Sequence, residues 1–258
     1  MSKYYYDLHV HSCLSPCGDD DMTVNNISGM AALKGLQIIA LTDHNTCGNC
    51  RPFYAACRKN GLIPVAGMEL TTAEEIHMVC LFEELEQAEA FDRKLREYRL
   101  PVKNKPEIFG NQLLLDENDE VIGTEPYLLP PATSLPIEEA FKLASSYGAF
   151  CFPAHIDRPS NGILGILGTL PDHPSFPVVE YSGTADIKAL EDAHPDLKTK
   201  RALTDSDAHY LWDISEAENA LDLPDEPYSS AFVRHQLFRY LRGELCGGPN
   251  ERTVSEHS

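Results

Sequence analysis

The sequence predicts an α/β fold with a largely parallel sheet, and three observations carry that reading. Short apolar runs alternate with helical stretches from the amino terminus onward, and parallel strands need such crossovers. The 258 residues, 43% of them hydrophobic, suit one large domain on the scale of an α/β barrel. Histidines and acids recur where the apolar runs end, and in such folds functional groups gather beyond the carboxyl ends of the strands.

The elements follow in order. Tyr4-Tyr5-Tyr6 is rich in β-formers and leads into Asp7-Leu8-His9-Val10-His11-Ser12, then a turn-rich acidic loop over residues 13–21. Thr23 caps a helix over 24–34 that stops at Gly35. Residues 37–42 read as a buried strand closed by Asp43-His44-Asn45-Thr46, and 51–60 as a second helix ending at Gly61. A strand over 62–66 precedes Gly67-Met68-Glu69, and the next, over 76–82, contains His77. A charged amphipathic helix spans 83–98.

Residues 100–135 break the rhythm with a polar hairpin and a Pro-rich loop, read as an insertion beside the mouth of the site. Pro136 starts a helix over 137–147. Strands follow over 149–153, ending in Ala154-His155-Ile156-Asp157-Arg158, then over 178–181 and 201–204, the last followed by Asp205-Ser206-Asp207-Ala208-His209. A helix over 229–242 closes a catalytic unit spanning 1–243, and the Gly-rich, polar residues 244–258 read as a loose tail.

Composition narrows the function classes. No run of about 18 apolar residues occurs and the start lacks an apolar signal segment, so a cytoplasmic protein without a membrane role is expected. A net charge of −19 disfavours long nucleic acid as a partner, because phosphate neutralisation requires a basic stripe. A small anionic substrate remains compatible if bound cations reverse the local field.

Six of the ten histidines stand at or within predicted strands: His9, His11, His44, His77, His155 and His209. The pair His9 and His11 at i and i+2 share one face of an extended chain. Each histidine alone reads as an ordinary core or surface residue; their joint recurrence points to a metal site. With Asp19, Glu69 and Asp207 they form nine imidazole and hard-oxygen donors, a set suited to Zn, Mn or Fe at a hydrolytic centre. His173, His194, His235 and His257 read as ordinary.

The motifs DLHVHS at 7–12, TDH at 42–44, GME at 67–69, His77, PAH at 153–155 and SDAH at 206–209 resemble the polymerase-and-histidinol-phosphatase (PHP) family of metal-dependent phosphoesterases. The resemblance runs from Asp7 to His209 and implies a distorted (β/α)7 TIM-like barrel holding two or three divalent ions. It implies one ion between His9, His11, Glu69 and Asp207, a second on Asp19, His44 and His209, and a third on His77 and His155, with Glu69 bridging. Asp7 and Asp43 match positions that orient ligands. The first loop departs from the family: Ser15 is followed by Pro16-Cys17-Gly18 where Ser-Asp-Gly is usual. Counting back from Thr23 puts the ligand at Asp19, with Asp20 and Asp21 as rivals.

The chemistry so implied is hydrolysis of a small phosphorylated metabolite or nucleotide by metal-activated water, with Glu69, His44 and His209 at the catalytic centre. Arg158 either clamps a substrate phosphate or pairs with an acid such as Asp157. Competing readings are an exonuclease for short oligonucleotides and a non-catalytic metal-binding module. The eight cysteines are too sparse for a disulfide scaffold. Cys13, Cys17, Cys47 and Cys50 stand in two loops expected on one face, so a four-cysteine zinc or iron–sulfur site is weighed against free thiols.

Overall fold

A computed structural model describes residues 1–245; Cys246, His257 and the rest of the expected tail from 246 onward lie outside the described residues. The chain runs β1 (Ser2–Asp7), α1 (Val24–Leu33), β2 (Ile38–Leu41), α2 (Cys50–Lys59), β3 (Ile63–Thr71), β4 (His77–Phe82) and α3 (Leu85–Leu95). It continues through α4 (Pro106–Phe109), β5 (Leu113–Leu115), β6 (Val121–Thr124), α5 (Ile137–Ser146), β7 (Phe150–Pro153), α6 (Ile163–Leu167) and β8 (Val178–Tyr181). The last elements are α7 (Ile187–Ala193), β9 (Arg201–Thr204), β10 (Ala220–Leu223) and α8 (Ser230–Leu241).

The main sheet has the order β10-β1-β2-β3-β4-β7, and β8 and β9 form a separate parallel pair. Within the main sheet only β1, β2 and β3 carry the expected parallel register. β4 pairs antiparallel with β3 and with β7. The reason is loop length: residues 72–76 are too few for a helical crossover, so the chain turns back as a hairpin. β10, antiparallel to β1, has no counterpart in the sequence reading. The architecture is thus a mixed α/β fold with a curled sheet. Ile156 N–H donates to Glu180 O at 2.8 Å, and Val10 bridges Ala208, so β7, β8, β9 and β1 meet at one rim.

Alternation along the strands sorts two cores. Ile39, Leu41, Ala66 and Met68 face the outer layer with α1, α2 and α3, whereas Tyr6, Leu8, Ile38, Ala40 and Val65 face inward and meet Val233, Leu237 and Phe238 of α8. Gly67 permits this packing where β3 and β4 pair: a Cβ there would lie 2.8 Å from Cys80 O and from Leu81 Cδ2. Helix starts follow local chemistry. Thr23 Oγ1 accepts from Asn26 N–H, and Glu84 and Gln87 close a reciprocal cap on α3.

The β5–β6 hairpin packs on the loops that leave β1 and β2. Leu113 N–H donates to Cys13 O, while the Asn49 amide donates to Leu113 O and Asn45 donates to Leu129 O. Residues 113–129 therefore border the loops that follow β1 and β2. Among the described residues no helix is long and apolar enough to cross a membrane.

Candidate metal centre

Strand geometry brings the six histidines to that rim. His9 and His11 leave β1 with the spacing of an extended chain, and His44 follows β2. Glu69 lies inside β3 rather than beyond it, because the hairpin to β4 extends the strand to Thr71. β4 runs antiparallel, so its first residue, His77, comes to the rim where the parallel strands end. His155 and Asp207 follow β7 and β9 with φ of 27° and 51°. Left-handed backbone at residues other than glycine carries strain and concentrates at functional sites.

The buried Glu69 carboxylate faces five imidazoles. Oε1 lies 2.7 Å from His77 Nδ1, 3.0 Å from His155 Nε2 and 3.4 Å from His9 Nε2; Oε2 lies 2.9 Å from His44 Nδ1 and 3.4 Å from His11 Nε2. Asp207 Oδ1 lies 3.0 Å from His11 Nε2 and 3.4 Å from His9 Nε2. Three groups of donor atoms, each within 4.8 Å of one another, result: His9, His11, Glu69 and Asp207; His11, His44 and His209; and His44, Glu69 and His77. The first matches the quartet expected from the motifs, and the others share His11 and His44 between neighbouring positions.

These donors fit divalent cations. Glu69 Oε2, His44 Nδ1 and Asp207 Oδ1 are buried, and their short contacts with neighbouring side chains lack hydrogen-bond geometry. Such orphaned atoms are costly in a protein interior unless a cation meets their lone pairs. His9 Nε2 and His11 Nε2 face each other at 3.2 Å, a contact that neutral nitrogens tolerate poorly without a shared proton or ion. Imidazole with carboxylate donors suits Zn, Mn or Fe.

Electrostatics agree. Burial penalises the charged Glu69, yet His77, His9 and His44 hold its carboxyl well below the usual range. For His11, burial is outweighed by Asp207 and Glu69, which push it up to about 9. His44 is likewise pushed up to about 9, burial being outweighed chiefly by Glu69, with a smaller contribution from a hydrogen bond to Cys17. Burial and the neighbouring His11 pull His209 down to about 3.

Buried acceptors orient this shell. Glu180 of β8, absent from the sequence reading, receives His9 Nδ1 at 2.9 Å. Its signal was a lone carboxylate in the apolar strand Val178–Tyr181. Asp43 accepts from Ser12 N–H at 2.8 Å, Ser12 Oγ at 2.7 Å and Ser15 Oγ at 2.7 Å, and Ser15 Oγ lies 3.0 Å from His11 Nδ1. Asp7 accepts from the amides of Ser206 and Ser215.

Asp19, the loop cysteines and Arg158 take the following places. Asp19 joins none of the donor groups: its amide donates to His209 O, while its Oδ1 accepts from Asp21 N–H at 2.8 Å and so caps its own turn. Its rival Asp20 accepts from Asn111, and Asp21 is exposed. The four loop cysteines do not share a shell. Cys13 is in the apolar core, Cys17 is exposed at the rim, and Cys47 and Cys50 turn beneath β3 toward Gly67 O. Among the described residues no donor group includes a thiol. Arg158 pairs with Asp207 Oδ2 at 2.6 Å rather than with Asp157, whose carboxylate accepts from Ser182.

Fold and cluster together define a curled α/β sheet with imidazole and carboxylate donors gathered at one rim, in an arrangement that fits divalent cations. The model of the PHP domain matches residues 7–128 of this chain. An error-prone DNA polymerase of Symbiobacterium thermophilum is 34% identical over 77 residues, which are 30% of this chain and 7% of the polymerase. The lesion-specific endonuclease Q of Pyrococcus furiosus has a similar fold, with a TM-score of 0.70 and 19% identity over 96% of this chain and 57% of that one. Endonuclease Q has also been solved with a 27-mer duplex carrying an abasic lesion at the active site; that structure gives a TM-score of 0.69 and 18% identity, covering 96% of this chain and 58% of that one. A candidate metal-dependent phosphoesterase of Bifidobacterium adolescentis gives a TM-score of 0.59 and 17% identity, covering 91% of this chain and 96% of that one. The chain thus spans little more than half the length of the endonuclease and a small part of the polymerase.

Proposed function

We propose that the chain is a metal-dependent phosphoesterase acting on a small phosphorylated metabolite or a nucleotide, with residues 1–243 as its catalytic unit. The observation that carries this reading is the Glu69 carboxylate set among five imidazoles with Asp207 alongside. His9, His11, Glu69 and Asp207 would hold one ion, with His44, His209, His77 and His155 completing the positions beside it. Held by these residues, divalent ions would supply Lewis acidity that lowers the pKa of a water and offsets charge on a phosphoryl group.

The chain's own residues supply the rest. Glu180, Ser15 and Asp43 fix the imidazoles and so the directions of their lone pairs. Arg158, part-exposed beside Asp207, offers a planar fork to a phosphate oxygen. It opens on a cavity of about 590 Å³ lined also by Asp157, Ser182, Thr184 and Ser206. A net charge of −19 gives a long polyanion no attraction beyond the centre itself.

The second reading is cleavage within a nucleic acid strand, favoured by the shared fold with endonuclease Q. Side-by-side kcat/KM values on nucleoside monophosphates, sugar phosphates, short single strands and an abasic duplex decide between them. Higher values on either oligonucleotide would replace the first reading with the second.

A further inference from the structure

The turn that follows His209 presents two aromatic rings to solvent. Trp212 is 70% exposed and Tyr210 is 39% exposed. The rings stack with centroids 5.1 Å apart and planes inclined by 15°. Among the described residues this is the one ring pair with both members exposed.

The turn is built to hold them there. Leu211, between the two rings, packs against the outer core, so its neighbours point away from it. Lys34 of α1, its side chain only 12% exposed, donates to Trp212 O at 2.8 Å and to Ile214 O at 2.5 Å, and Asp7 accepts from Ser215 N–H at 2.9 Å. A lysine that spends two bonds on successive turns of backbone fixes the platform rather than any ligand. The next residue, Asp213, lines the cavity that also holds Arg158 and Ser206. The stacked rings thus sit in the chain between a candidate metal ligand and the cavity beside the metal centre.

We propose that Tyr210 and Trp212 form a stacking platform for a nucleobase, so that the substrate is a nucleotide or the terminal nucleotide of a short strand. This rests on the phosphoesterase reading of the adjacent centre. A flat, rigid and exposed aromatic surface accepts the π-face of any base without hydrogen-bond readout. The polar, hydroxyl-lined cavity offers Ser182, Thr184 and Ser206 to a sugar, and Arg158 to its phosphate. A sugar phosphate without a base leaves the platform unused.

Trp212 is the chain's single tryptophan, so its fluorescence reports on the platform directly. The full-length chain, loaded with Mn, is titrated with adenosine 5′-monophosphate and, separately, with ribose 5-phosphate. We expect saturable quenching by the nucleotide and none by the sugar phosphate. Trp212→Ala and Tyr210→Ala should each raise KM for the nucleotide about tenfold, the weight of one stacked base, and shift that for ribose 5-phosphate far less. Equal quenching by both ligands, equal KM shifts on both substrates, or a loss of self-association in Trp212→Ala with nucleotide affinity intact would each overturn the platform. Failure of the phosphoesterase reading looks different: nucleotide-selective quenching would persist while neither compound is hydrolysed.

Discussion

Glu180 Oε2 lies 2.9 Å from His9 Nδ1, both side chains fully shielded from solvent. The imidazole therefore donates to Glu180 and turns its Nε2 lone pair toward Glu69 and Asp207. β8 thereby sets the direction in which β1 presents a ligand.

Replacing Glu180 with Gln should weaken metal binding about 10- to 100-fold, the usual cost of losing such a partner. Calorimetric titration of the metal-free protein measures it, with circular dichroism as the control for folding. Unchanged affinity would show that His9 needs no acceptor.

The protein as purified should carry two or three divalent ions, because three donor groups share Glu69, His11 and His44. Elemental analysis gives the count, and a chelator should lower Tm by removing the ions that offset Glu69 and Asp207. Less than one ion per chain, with no gain on adding Mn or Zn, would refute the centre.

Glu69→Gln removes the charge that five imidazoles share, and His209→Ala removes a donor from the second group. Both should abolish phosphatase turnover with the fold intact. Turnover near that of the native chain in either variant contradicts the assignment.

Arg158 is bonded to Asp207 through Nη1 at 2.6 Å. Arg158→Ala should raise KM for a phosphomonoester with a smaller fall in kcat, as expected when the contact serves ground-state binding. A fall confined to kcat would place the guanidinium in the transition state instead.

Asp43 accepts three hydrogen bonds from Ser12 and Ser15 in the loop that leaves β1. Asp43→Ala strands those donors in a buried loop and should cost about 3 kcal/mol of stability. Denaturant unfolding tests this, and a midpoint within error of the native one would show that the loop finds other acceptors.

Much of this was legible in the chain. The boundaries at Val178–Tyr181 and Arg201–Thr204 follow from apolar runs bounded by turn residues, and α1 begins where Thr23 can cap it. Counting along a loop to Asp19 can mislead, because it ignores how Pro16-Cys17-Gly18 routes the backbone; there Asp19 Oδ1 accepts from Asp21 N–H. The loop cysteines misled for a related reason. Adjacent loops do not imply convergent side chains, and Cys13 turns into the core while Cys17 turns out.

By itself the sequence determined the α/β class, the six histidines and the acids Glu69 and Asp207, because strand periodicity and position at strand ends are local properties of the chain. Only the tertiary structure decided that β4 returns antiparallel and delivers His77 to the common rim. It alone brought Glu180 to His9 across 171 positions and Arg158 to Asp207 across 49. It also set Tyr210 and Trp212 outward by packing Leu211, between them, against the outer core. Such pairings depend on how the sheet curls, and curl arises from the packing of every strand and helix at once rather than from any one stretch of residues.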